Sequence, residues 1–310
     1  MHTKKYGRGI NVWFLLIGAL CFGQYRAADY ELIGNVKSMS SVTRIYNQPN
    51  STAVSGFLDS EQFDSVHLKF DQRKYLTLRE NYLDYRGRLG IFDRTVYQYN
   101  PSQQIEKLEN ILIQNGEEPR KVAQRKVFYY LKNQLVRTDE YNFGRTSNQH
   151  WVVNSVYSGN RLKEKVFWMD DAIFSTTAYE FDSNHNPVSE KTVHNNGQQG
   201  LVKIYQNNSA GMPLKIISRS GNKETVETIE YGSVYPSKIS ETDDTENLVK
   251  LTLYDPNGRI FEIRKFNYRS NNTDIYNFEY EYDSNNNWTN CTIKMNRIPA
   301  FIISREIRYY

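Results

Sequence analysis

The residues able to carry chemistry are few and scattered. Four histidines lie beyond the N-terminal segment, His67, His150, His185 and His194, and no two have the spacing that sets a pair of metal ligands on one element. His185 and His194 sit in Asn-rich stretches that suit solvated turns. The acid pairs Asp170-Asp171 and Asp243-Asp244 could serve a hydrolase only if both carboxylates reached one bond. Adjacent strand residues point to opposite faces, so both pairs read as turn residues. Cys291 has no histidine nearby and follows the strand-like Trp288-Thr289-Asn290, which reads as a packed thiol. There is no Gly-x-Ser-x-Gly elbow, phosphate loop, dinucleotide fingerprint or calcium loop. The expectation is a protein with no catalytic residue, no metal and no cofactor. Trp151, Trp168 and Trp288 remain as candidate ligand-contact aromatics, because exposed rings on a sheet suit sugars or extended peptides; core packing is their competing role.

The elements that must position these residues are announced by a recurring phrase: an aromatic, often two flanking one residue, then an acid or amide and turn formers. Tyr179-Glu180-Phe181-Asp182-Ser183-Asn184, Leu253-Tyr254-Asp255-Pro256-Asn257-Gly258 and Tyr280-Glu281-Tyr282-Asp283-Ser284-Asn285 are its clearest copies. Looser copies end on Tyr99, Tyr130, Tyr157, Tyr205 and Tyr231, and Val66-His67-Leu68-Lys69-Phe70-Asp71 is a degenerate first one. The interval is hairpin-sized, and alternation in Glu227–Tyr231 and Leu248–Tyr254 has the period of a half-covered sheet. Asn195-Asn196-Gly197, Ser220-Gly221-Asn222 and similar turns separate the strands. The predicted fold is all-β, a long antiparallel meander of hairpin repeats forming a twisted or rolled sheet.

Within the phrase, paired aromatics share a face and can stack on the next unit. The Asp or Asn can accept a backbone N–H two residues on, and a Gly or Asn then takes the left-handed position. The basic residues Lys215, Arg259, Arg264 and Lys265 are expected on the wetter face or blunting edges. Residues 103–113 carry Ile105, Leu108, Ile111 and Leu112 at helical spacing, yet could equally be a strand leading to a turn at Asn115-Gly116. Residues 31–45 read as strand or short helix.

On these residues the chain resembles the YD-repeat, or RHS-repeat, proteins, whose unit runs Tyr-Asp-x-x-Gly-Asn/Arg and then a strand. Tyr254-Asp255-Pro256-Asn257-Gly258-Arg259-Ile260 fits best; Tyr282 to Thr289 has Asn286 where Gly is expected, and Phe181 to Asn186 has His185 there. The resemblance covers residues 125–310, with a fainter extension toward 66. It implies a curved β-sheet in an extracytoplasmic setting. In large members such repeats build a shell around a toxin domain or present a carbohydrate- or protein-binding surface, and this chain is too short to enclose a passenger.

The first 23 residues read as a signal peptide: basic Lys4, Lys5 and Arg8, an apolar run from Val12 to Leu20, and Cys21-Phe22-Gly23 before a cut ahead of Gln24. A lipid anchor at Cys21 is disfavoured by Leu20 before it. Beyond them only Cys291 remains, so no intrachain disulfide can form. Residues 24–95 form a less regular N-terminal β region and 96–310 the repeat region. Net charge is +4 with basic and acidic residues intermixed, which gives no nucleic-acid stripe. The expected function is a non-enzymatic exported repeat protein, a binding or scaffold module for an unidentified protein or glycan at the cell envelope, periplasmic, surface-bound or secreted. The alternatives are an outer-membrane β-barrel, against which a mean hydropathy of -0.70 argues, and a glycan-active enzyme on a β platform.

Overall fold

The structure, a computed structural model, describes residues 25–46, 64–84, 88–113, 122–144 and 148–310. The expected signal peptide, Cys21 and the turn expected at Asn115-Gly116 lie outside them. A 3-10 turn (Ala27–Tyr30) precedes twenty strands: β1 (Val36–Ile45), β2 (Ser65–Phe70), β3 (Leu76–Asp84), β4 (Leu89–Tyr99), β5 (Ile105–Leu112), β6 (Val122–Leu131), β7 (Gln134–Phe143), β8 (Asn148–Ser158), β9 (Arg161–Met169) and β10 (Ala172–Phe181). Then come β11 (Pro187–His194), β12 (Gln199–Asn207), β13 (Pro213–Ser220), β14 (Lys223–Tyr231), β15 (Pro236–Thr242), β16 (Leu248–Tyr254), β17 (Ile260–Asn267), β18 (Asn272–Tyr282), β19 (Trp288–Met295) and β20 (Ile298–Tyr309). All belong to one sheet, so the expected all-β antiparallel meander holds. The helical spacing around Ile105 resolves as β5, because Leu108 and Asn110 face the same way as Tyr97 and Thr95 across the ladder. The less regular N-terminal stretch supplies β1 to β4.

The repeated phrase is a turn with a fixed hydrogen-bond plan. In hairpins starting at Asp71, Asn100, Asp182, Asn208, Asp243, Asp255 and Asp283, the Asx N–H donates to the carbonyl four residues on. The N–H three residues on donates back to the Asx carbonyl. The Asx side-chain oxygen accepts the N–H four residues on in each. In all but the Asn100 turn it also accepts the N–H two residues on. The third residue after the Asx is left-handed every time: Lys74, Gln103, His185, Gly211, Glu246, Gly258 and Asn286. Side chains there strain a conformation that glycine takes freely. Lys74→Gly and Glu246→Gly are each expected to stabilise the protein by about 0.5–1 kcal/mol, read as a higher urea midpoint at unchanged m.

The aromatic before the turn ties strands as well as stacking. The phenol of Tyr99 donates to the Leu76 carbonyl at 2.9 Å, that of Tyr157 to Leu135 at 3.0 Å and that of Tyr231 to Pro213 at 3.0 Å. Each reaches the start of the preceding strand, and burial holds the Tyr157 and Tyr231 hydroxyls up at about 12.

The chain divides into two compact units, Met1–Val127 with Asn142–Gly144 and Tyr276–Tyr310, and Phe128–Tyr141 with Arg145–Ile275. In the first, β1 lies between β2 and β20, pairing Ser41 with Val66 on one side and with Arg305 on the other. The N-terminal strand therefore joins the two ends of the meander. One face of this unit buries Met39, Leu68, Tyr276, Phe278, Cys291, Ile293 and Ile303. The other face carries ion pairs such as Glu109 with Arg125 and Glu306 with Arg308. In the second, β8 to β17 form consecutive rungs whose core face buries Tyr179, Tyr205, Ile216, Ile229, Ile239 and Ile263. Two of the four basic residues expected on wet faces are elsewhere: Arg259 is buried in its turn, and Lys265 shares the core face with Ile263 two residues away.

Candidate functional site

The three tryptophans do not form one platform. Trp288 is 2% exposed in the first unit. Its indole N–H donates to Glu31 at 2.8 Å, the Arg305 guanidinium lies 3.3 Å above its ring, and Tyr280 meets it edge-on. Such a ring is a core anchor between the N-terminal segment and β19. Trp151 and Trp168 lie in the second unit on opposite faces of the sheet. Trp151 pairs with Met169, whereas Trp168 pairs with the next residue, Val152, and with Ile173. Trp151 meets Phe174 edge-on at 6.1 Å, and Phe174 meets His194 at 5.6 Å. On the Trp168 face, His150 stacks on Tyr141 at 4.4 Å, its Nε2 3.9 Å from Asp139, whose carboxylate is held by Arg137.

Asp170 and Asp171 are both left-handed turn residues, and Asp243 caps its turn, so neither acid pair faces a common bond. Cys291 is buried beside Tyr280, and burial pushes its thiol up to about 12. It is expected to resist a maleimide or Ellman reagent in native protein at pH 8 and to react stoichiometrically after denaturation.

The feature that stands out chemically is a row of charges on the core face of the second unit, where apolar residues are the rule. Glu227 is the register partner of Glu241, Glu241 of Lys250, and Lys250 of Lys265. Each lies two residues from a buried member of that face: Ile229, Ile239, Thr252 and Ile263. Strands β14 to β17 thus present two acids and then two lysines on successive rungs. Like charges directly opposite one another destabilise a sheet, and only the middle pair is attractive, with Lys250 Nζ 2.6 Å from Glu241. Glu227 makes no hydrogen bond or ion pair among the described residues; burial, then Glu241, holds its carboxyl above the usual range, and the charges of Lys203 and Lys250 offset part of that rise. Farther along the same face, Tyr205 donates to Glu190 at 2.6 Å, Thr177 bonds Thr192 at 2.9 Å, and burial lowers the Lys165 ammonium.

Beside the row is an open recess of about 570 Å³ lined by Glu241, Asp243, Lys250, Lys265, Tyr268 and Arg269, among others. That volume falls within the range of small-ligand sites. The row is invisible without strand register. Its only trace in the sequence is a charge at two-residue spacing from an apolar residue, as in Glu227-x-Ile229 and Ile263-x-Lys265.

Glu227 also has a linkage consequence. A carboxyl raised in the folded state binds its proton more tightly there than in the unfolded chain. Its stability contribution is full below the unfolded-state value near 4.3 and is lost as pH rises through the folded one. Glu227→Gln is therefore expected to be more stable than the parent at pH 7 and equal to it near pH 3.5, by thermal melts at both pH values.

No protein-family model matches the chain, and no curated protein matches it. Solved structures resemble it only distantly. A porin-like protein from Bacteroides uniformis is 8% identical over 88% of this chain and 98% of its own, at a TM-score of 0.37. A porin-like protein from Bacteroides vulgatus is 10% identical over 89% and 98%, at 0.26. The TcdB2-TccC3 structure is 10% identical over 77% of this chain and 16% of its own, at 0.30.

Proposed function

We propose that this chain is a non-enzymatic β-barrel protein of the cell envelope, with its outer face in water. The observation that carries the reading is β1, which hydrogen-bonds β2 and β20 and leaves neither end of the meander as a free edge. Edge-free closure is how antiparallel sheets avoid uncontrolled pairing, and it supports the barrel alternative over an open binding module.

The outer face supports a barrel in water rather than lipid. Glu180 with Lys191, Arg219 with Glu224, Glu230 with Lys238 and Glu262 with Arg264 all lie opposite the core of the second unit. A single Arg or Lys on a lipid face costs about 2–4 kcal/mol at the midplane. The seven Asx turns support a YD-type repeat mechanically, and the leader-like N-terminus supports export. The test is expression with the chain's own N-terminus, followed by fractionation and liposome flotation. Recovery in the soluble exported fraction, with no flotation, is expected; co-flotation with stepwise conductance across planar bilayers would replace this reading with a membrane-inserted pore.

A further inference from the structure

We propose that the outward face of strands β8 to β11 in the second unit docks onto the same face of a second copy of this chain, giving a weak two-fold dimer. This goes beyond the barrel reading and does not depend on it, since every residue of the face lies within one unit.

Three observations converge. The first is an apolar surface set by register. Val152 is the partner of Trp168 and Trp168 of Ile173, so these three share one row. In the next row Val166 is the partner of Thr176 and Thr176 of Val193, with Asn154 across from Val166. Thr176 alternates with the buried Ser175 and Thr177, which places both rows on the side away from the core. Ile173 is 42% and Val193 44% exposed, so the rows stand open to water. Charge returns only in the third row, with Glu164 and with Lys191, which pairs with Glu180.

The second observation is contrast. The same side of β13 to β17 carries ion pairs on successive hairpins, Arg219 with Glu224, Lys238 with Glu230 and Arg264 with Glu262. An outward face cleared of charge in one sector, with a tryptophan at its middle, has the make-up of a contact patch. The third is size and charge, which select the occupant. Each outward position covers about 4.8 by 6.7 Å of sheet, so three rows across four strands span about 400 Å². A stable interface takes about 800 Å² from each partner, so the patch suits a weak contact. Two-fold contacts need a self-complementary surface, and two rows of uncharged, largely β-branched side chains oppose their own copy without repulsion. Docking on lipid draws on a basic rim. Here the borders are Glu164 on one side and, beyond His150, Asp139 with its guanidinium partner Arg137, which leaves no positive excess.

The experiment is sedimentation equilibrium of the purified protein at protomer concentrations from about 1 to 500 µM, the range of a weak interface. The average mass is expected to rise from one protomer toward two, and to do so equally in 0.5 M salt, because the contact is apolar. Ile173→Glu and Val193→Glu are each expected to weaken association at least tenfold while melting at the parent's temperature in dilute solution, since both side chains are exposed. Val234→Glu, at a 70% exposed turn position of the same unit, should associate like the parent, which controls for added charge. One-protomer mass at every concentration, a dimer that survives in Ile173→Glu, or equal loss in Val234→Glu would overturn the proposal. Flotation with neutral liposomes that is lost in Ile173→Glu would also overturn it, by assigning the face to lipid. Mass is read separately from conductance, so failure of the dimer and failure of the barrel reading remain distinguishable.

Discussion

Replacing Trp288 with alanine is expected to cost about 3–5 kcal/mol, the range for deleting a large buried aromatic. The ring is covered on each side by something specific: Arg305 stacks at 3.3 Å, Tyr280 meets its edge, and Glu31 accepts its N–H. Removing it leaves a cavity and strands two charged groups in a region that buries Cys291 and Ile303. Urea denaturation would show the loss as a large fall in midpoint. A second readout is Cys291, whose thiol becomes accessible to maleimide only if this cluster opens. Trp288→Phe keeps most of the packing but not the hydrogen bond to Glu31, and is expected to lose less than half as much. Equal losses for both variants would show that the indole N–H, rather than packing, governs the site.

Asn287→Leu is expected to destabilise by about 2–4 kcal/mol, and for a different reason. Asn287 is completely buried, and its amide forms a two-way bridge with the backbone of Ile33, accepting its N–H at 2.6 Å and donating to its carbonyl at 3.0 Å. It also donates to the Tyr309 hydroxyl at 2.7 Å, which in turn contacts Asp283. One side chain thus replaces a missing β-ladder rung between the N-terminal segment and the last hairpin. Leucine has similar volume and no polar atoms, so it removes the partner of two half-buried Ile33 backbone groups and of the Tyr309 hydroxyl, at about 1 kcal/mol or more each. Hydrogen exchange at Ile33 checks this directly: its amide should lose protection in Asn287→Leu, while amides of β8 to β17 keep theirs.

The turns were the most legible part of the fold, because their chemistry is local. Asp255-Pro256-Asn257-Gly258 and Asp283-Ser284-Asn285-Asn286 each carry the Asx acceptor and the left-handed residue within four positions. Lys74, Gln103 and Glu246 were harder to see, since nothing in their side chains advertises positive φ; the surrounding hydrogen bonds impose it. Ile105 to Leu112 was ambiguous for a related reason: its apolar spacing fits two periods, and pairing with β4 and β6 selects one. The basic residues were misplaced where alternation was assumed to separate wet from dry. Arg259 belongs to a turn that folds inward, and Lys265 sits on the core face as the last member of a charged row.

Taken alone, the sequence determined the all-β antiparallel class, the hairpin period, the Asx turns and the absence of recognisable catalytic motifs. These follow from residue periodicity and from hydrogen bonds spanning a few residues. Tertiary structure alone decided that β1 closes onto both β2 and β20, that Trp151 and Trp168 face opposite ways, that Trp288 is an anchor, and that Glu227, Glu241, Lys250 and Lys265 share one row. The row and the facing of Trp151 and Trp168 depend on strand register, where a shift of one residue would turn each side chain to the other face, and the closure at β1 and the Trp288 anchor depend on contacts between the N-terminal segment and the last strands.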